Sequence, residues 1–164
     1  MKGDHITIAK GTTLQHAGAT QPKHYLVKSG LLRAYIIDEK GKEHTFMFAP
    51  ADWIIGDIYA IQYQKPSTLY IDAIEDSEVM IIQQTDASNY PAEELLSGLN
   101  KLLNRVGVLQ NRVLMQMSSS ALERYEHFLD VYPNLTQRVP QKMIASYLGI
   151  TPQALSRIRK EWVK

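Results

Sequence analysis

Six apolar residues in the second half of the chain, Leu95, Leu99, Leu102, Val106, Leu109 and Val113, are separated by 4, 3, 4, 3 and 4 positions. Only a helix brings residues at those intervals onto one stripe, and an unbroken a/d heptad is the pattern of a coiled-coil seam. The pattern predicts one long helix over 91–118, roughly 40 Å in length. Each seam residue contributes about 1.5 to 3 kcal/mol when buried, and six from each of two chains offset an association cost of roughly 4 to 15 kcal/mol. A homodimer through Leu95, Leu99, Leu102, Val106, Leu109 and Val113 is therefore expected. The competing reading is an amphipathic helix buried wholly within its own chain.

Before the helix the punctuation is different. Short β-rich or alternating runs occupy His5-Ile8, His24-Val27, Leu31-Ile37, His44-Phe48, Leu69-Ile74 and Glu78-Gln83, with turn signals such as Gly11, Gly18, Ser29-Gly30, Gly41, Pro50-Ala51-Asp52 and Pro66-Ser67 between them. Turn residues spaced in this way mark an all-β sandwich or barrel, and a small jelly roll is the expected form. Leu96, Leu103 and Met117 form a strip beside the heptad, so the long helix is expected to pack on its own barrel on one side and on a twin helix on the other. The fold class expected is α+β: an N-terminal β jelly-roll over 1–90, the dimerisation helix over 91–118, and a helical unit over 119–164.

Composition narrows the chemistry. The 164 residues are 45% apolar and 21% charged, an ordinary globular balance that excludes disorder and collagen-like architecture. Apolar runs fall far short of the roughly 18 residues that cross a membrane, and Met1 to Lys10 has no apolar region of the secretory kind. A cytoplasmic location without membrane contact is expected. The absence of cysteine removes disulfides, thiolate metal sites and cysteine nucleophiles together. The net charge is only +1, but its distribution is uneven. From Leu135 to Lys164 there are six basic residues and one acid, a net +5, which leaves 12 basic and 16 acidic groups, a net −4, in the rest. Such asymmetry points to an anion-binding C-terminal segment.

That segment has a recognisable grammar. Ser120 and Glu123 form a capping box for a helix over Ala121 to Val131, which Tyr132-Pro133 ends. Pro140 suits the first turn of the next helix, Gly149 can close it in the left-handed conformation, and Thr151-Pro152 caps and starts another. Ile144, Leu148, Ile150, Leu155 and Ile158 supply the apolar set between the two helices, with small Ala145 at their closest approach. This is a helix-turn-helix, whose second helix enters the major groove. Gln153, Ser156, Arg157 and Lys160 share the opposite face by helical spacing. Arg157 suits a guanine edge and Gln153 an adenine, while Lys142, Ser146, Thr151, Arg159 and Lys160 suit phosphates. A hairpin with a merely solvated basic face is the alternative.

Barrel, long helix and helix-turn-helix together resemble the Crp/Fnr family of bacterial transcription regulators in its Bacteroidetes form. The most specific stretches are Tyr25-Leu-Val-Lys-Ser-Gly-Leu-Leu-Arg33, Phe48-Ala-Pro-Ala-Asp-Trp-Ile-Ile-Gly-Asp57, and Arg138-Val-Pro-Gln-Lys142 through Ser156-Arg-Ile-Arg-Lys160. The resemblance implies a cyclic-nucleotide-binding-like barrel whose ligand or state reorients the DNA-binding helices through the central helix. It also implies double-stranded DNA bearing an inverted repeat, a small-molecule effector and RNA polymerase as partners. Arg157 falls on the family's base-reading arginine, and Gln153 falls where many members carry glutamate. In family members that bind cyclic nucleotides, a Gly-Glu pair and, after a short helix, an Arg followed by Ser or Thr hold the ribose and phosphate. Here Gly56-Asp57 keeps the glycine and a shortened acid, and Ser67-Thr68 stands where the arginine is expected, with Lys65 the one nearby cation. The effector pocket is thus expected at Gly56, Asp57, Ile58, Ser67 and Thr68. Loss of a bidentate phosphate partner predicts weak or absent cyclic AMP binding, and no cofactor is expected. The pocket is left to another small molecule or to filling by Tyr59, Tyr63 and Tyr70. Two further departures are expected at the ends: the chain starts almost at the first strand, and it stops before a β-hairpin wing, which would lower DNA affinity.

An enzyme is not expected. A metal-dependent barrel of the cupin kind needs two histidines one residue apart plus a carboxylate, and His5, His16, His24, His44 and His127 lack that spacing. Haem ligation by one of them has no supporting pattern. Neither a nucleophile elbow nor a Gly-rich phosphate loop is present. The stronger rival is a ligand-sensing protein whose helical domain binds another protein instead of DNA.

Overall fold

A computed structural model describes residues 3–82 and 91–162. Contacts divide the chain into two compact units, one up to Gln83 and one from Gln84. The first is built from eight strands: β1 (Gly3–Ile8), β2 (Thr13–Gln15), β3 (His24–Ser29), β4 (Leu31–Ile37), β5 (Glu43–Pro50), β6 (Ile54–Ile55), β7 (Tyr70–Ala73) and β8 (Ser77–Ile82), with one short helix, α1 (Ile58–Tyr63), between β6 and β7. They form two four-stranded sheets, β1-β8-β3-β6 and β2-β7-β4-β5, all of whose pairings are antiparallel. Alternate residues point inward, so Val27, Leu32, Ala34, Ile55, Ile71 and Val79 close the space between the sheets with essentially no exposure. This is the expected jelly roll. β2, β6 and α1 are additions to the expected strands, each too short to carry a periodic signal. The expected end of the last strand at Gln83 lies outside the described residues.

The second unit holds α2 (Ala92–Ser118), α3 (Ala121–Val131), α4 (Gln141–Leu148) and α5 (Pro152–Trp162), with a 3-10 turn at Leu135–Gln137. The Ser120–Glu123 capping box forms in full: the Glu123 N–H donates to Ser120 Oγ at 3.3 Å, and the Ser120 N–H donates to Glu123 Oε2 at 2.7 Å. Phe128, Leu135, Ile144, Leu148 and Leu155 are completely buried where α3, α4 and α5 meet. Phe128, Tyr132 and Tyr147 interlock there at ring-centroid separations of 5.3 to 5.7 Å. No described helix is long and apolar enough to cross a membrane.

Candidate functional site

Three regions carry the residues singled out by sequence. The helix-turn-helix is fixed by its turn. Gly149 ends α4 at φ +70°, a left-handed conformation that side-chain-bearing residues adopt only at a cost. The Ala154 N–H donates to Thr151 Oγ1 at 3.2 Å, so Thr151 caps α5. Leu155 and Ile158 are buried on one side of α5, while Gln153, Arg157 and Lys160 are exposed on the other, with Ser156 and Arg159 half-buried between. Lys142 is exposed on α4 and Ser146 is half-buried. All eight sequence-predicted DNA contacts thus lie on α4, on α5 or in the turn between them, and the expected reading face of α5 is free of apolar side chains. Such a face offers hydrogen-bond donors on a rigid helix, which is what base edges and phosphates require.

The seam residues of α2 present a second surface. Leu95, Leu99, Leu102, Val106 and Val113 are 42 to 59% exposed, and Leu109 is half-buried. Leu96, Leu103 and Met117 on the adjoining strip are strongly exposed too, Met117 at 79%. Such a row of exposed apolar groups is a surface that a second helix could cover.

In the barrel, Asp57 is 5% exposed and caps α1. Its Oδ1 accepts the Ala60 N–H at 3.0 Å, and its Oδ2 accepts the Ser67 hydroxyl at 2.8 Å and the Thr68 N–H at 3.0 Å. Burial alone pushes the carboxyl up, but these hydrogen bonds, with the Leu69 N–H adding to them, hold it below the usual carboxylate range. Ser67 is itself fixed: Gln15 Nε2 donates to its Oγ at 2.8 Å, and its backbone bonds to Gly18 and Ala19 at 2.7 and 2.9 Å. Gly56 packs so closely on Lys23 and His24 that a Cβ there would collide with backbone. Of the expected pocket, Gly56, Asp57 and Ser67 are buried, whereas Ile58 and Thr68 are exposed. Lys65 is exposed, with its Nζ 3.4 Å from Tyr59 Oη.

The filling of this pocket by tyrosines is corrected. Tyr59 and Tyr63 are 58 and 62% exposed and pack on each other at 4.7 Å. A helix of only six residues with Ala60 as its buried anchor leaves both outside. Tyr70 stacks on Tyr35 at 5.2 Å instead. Gln15, on a strand absent from the sequence expectation, is the participant that sequence reasoning missed, and its Oε1 is buried with no partner among the described residues.

The comparisons agree with this architecture. The cyclic nucleotide-binding domain model matches residues 5–92. The fumarate and nitrate reduction regulatory protein of Vibrio cholerae is 28% identical over 92% of the chain, and the chain spans 65% of that relative's length. FixK2 from Bradyrhizobium japonicum superposes with a TM-score of 0.76 at 16% identity, over 98% of this chain and 84% of its own. A transcriptional regulator of the CRP/FNR family from Thermus thermophilus superposes with a TM-score of 0.72 at 14% identity, over 98% and 86% respectively. Jelly roll, long helix and C-terminal helices superpose on these two structures over nearly the whole chain, and the chain belongs to the cyclic nucleotide-binding domain family.

Proposed function

We propose that this chain is a dimeric, sequence-specific DNA-binding transcriptional regulator whose barrel senses an effector other than cyclic AMP, and that it catalyses no reaction. The observation that carries the reading is the exposed polar and basic face of α5, Gln153, Arg157 and Lys160, on a helix whose other side is buried against α4. Arg157 is the base-reading residue, Gln153 its neighbour in the groove, and Lys142, Ser146, Thr151, Arg159 and Lys160 bind phosphates. Two chains joined along Leu95 to Val113 present two such helices, so the target is an inverted repeat with half-sites about 34 Å apart. RNA polymerase is the partner through which such a complex would act.

Against cyclic AMP stands the state of Asp57 and Ser67. Both oxygens that Asp57 would offer to a ribose hydroxyl are engaged by Ala60, Ser67 and Thr68, and a phosphate would meet this carboxylate with no guanidinium beside it. An effector suited to the site is uncharged or carries a donor that Gln15 Oε1 can accept.

The test is the salt dependence of DNA binding. Lys142, Arg159 and Lys160 from two chains place six cations on phosphates, for which log affinity should fall with log salt at a slope of about −5. Arg157→Ala should erase about 1 to 3 kcal/mol of sequence discrimination while leaving that slope nearly unchanged. Salt-independent binding, or discrimination intact in the variant, would overturn the reading and favour a protein-binding helical domain.

A further inference from the structure

The first helix of the helix-turn-helix is completed by a residue from the dimer helix. The last carbonyls of any α-helix need partners from outside it. At the end of α4, the Ile150 N–H donates to Ala145 O at 3.0 Å and the Gly149 N–H donates to Ser146 O at 3.1 Å. Tyr147 O is taken by Arg112 Nη2, from α2, at 3.2 Å. The same guanidinium lies over the Tyr147 ring, 4.0 Å from its centroid. Tyr147 is buried between Phe128 of α3 and Tyr132, so this one side chain engages both the backbone and the aromatic core of the DNA-binding helices. One turn on, Gln116 reaches the tight turn itself: a Cβ on Gly149 would lie 3.1 Å from Gln116 Oε1.

The position of these residues along α2 adds a second, independent fact. The heptad spacing that ends at Val113 puts its next step at Gln116. The stripe that is apolar from Leu95 to Val113 becomes polar where it meets the turn before the recognition helix. Arg112 directly precedes the last apolar position. One helical surface therefore passes from pairing with a second chain to holding the helix-turn-helix, within a single turn.

We propose that Arg112, assisted by Gln116, is the positioning contact that fixes the orientation of the recognition helix relative to the dimer seam. This rests on the regulator reading above and deepens it. A rotation or slide of α2 moves the guanidinium with it, and the fork geometry and flat stacking of arginine tie the direction of α4 to the helix more tightly than a lysine point charge would. Arg112 is a positioning residue and touches no DNA.

The chain has no cysteine, so Asn104→Cys on α2 and Glu161→Cys on α5 introduce the only thiols. Spin labels there, in labelled chain diluted into excess unlabelled protein, report the separation of the two helices and its spread without DNA. The parent protein should give one narrow distance distribution. Arg112→Ala should broaden it clearly, Arg112→Lys should lie between, and Gln116→Ala should broaden it less. Gln116 is exposed, so its variant folds even if Arg112→Ala does not. With unchanged melting temperature, Arg112→Ala should also lose about five- to tenfold of the preference for an inverted repeat over a single half-site. Distributions as narrow as the parent's in both alanine variants, or an unchanged repeat preference in Arg112→Ala, would overturn the proposal. A parent protein with no repeat preference at all would overturn the regulator reading instead, while the distances still decide whether the latch exists.

Discussion

Among single residues, Asp57 and Arg33 show how polar groups are kept inside the barrel. Asp57→Asn puts an amide NH2 against either the Ala60 N–H or the Thr68 N–H, and should cost about 1 to 3 kcal/mol at pH 7 by urea unfolding. The pH dependence has a definite sign. The folded carboxyl titrates below its unfolded value of about 3.9, so its contribution is complete above about pH 4 and is lost as pH falls through the depressed folded value. The gap between parent and variant should therefore close only under acid. Arg33 is 3% exposed on β4 and bonds Asp72 through Nε and Nη2 at 3.1 and 2.6 Å, and Glu43 through Nη1 at 2.7 Å. Arg33→Ala strands the Asp72 carboxylate, and a loss of about 3 to 5 kcal/mol by the same measurement is expected. Asp57 was legible in the sequence from its place after Gly56, and so was Ser67 in place of arginine. The bond from Gln15 was not, because residues 52 apart in sequence meet only through sheet pairing that short strands do not announce.

Elements were readable in proportion to their length and to the number of signals at their ends. The heptad from Leu95 to Val113, the Ser120–Glu123 box, and the Gly149 and Thr151 caps each combine periodicity with a terminal mark, and α2 to α5 follow them. β2, β6 and α1, of three, two and six residues, lack both. Their positions are dictated by pairing with β7 and β3 and by the Asp57 cap, which are tertiary facts. At this scale two outcomes are expected. Val106→Asp places a carboxylate in the middle of the seam, and light scattering should report the mass of one chain in place of two; native mass would refute the seam. Gly149→Ala forces a side chain to φ +70°, costing roughly 1 to 2 kcal/mol, which should appear as a lowered melting temperature of the helical unit.

In the molecule as a whole, a barrel with its would-be phosphate site satisfied from within is joined in sequence to a helix with an unpaired apolar stripe and to a helix-turn-helix with a basic reading face. On the proposed reading control comes from something other than cyclic AMP, and isothermal calorimetry should find no complex of micromolar or better affinity with that nucleotide. The central claim, dimeric reading of DNA through α5, is tested most directly by incubating the purified protein with genomic fragments and sequencing those retained, beside Arg157→Ala. The account predicts an enriched inverted repeat, its half-sites about one helical turn apart, that disappears in the variant. Retention without any enriched sequence, equal in parent and variant, would contradict it.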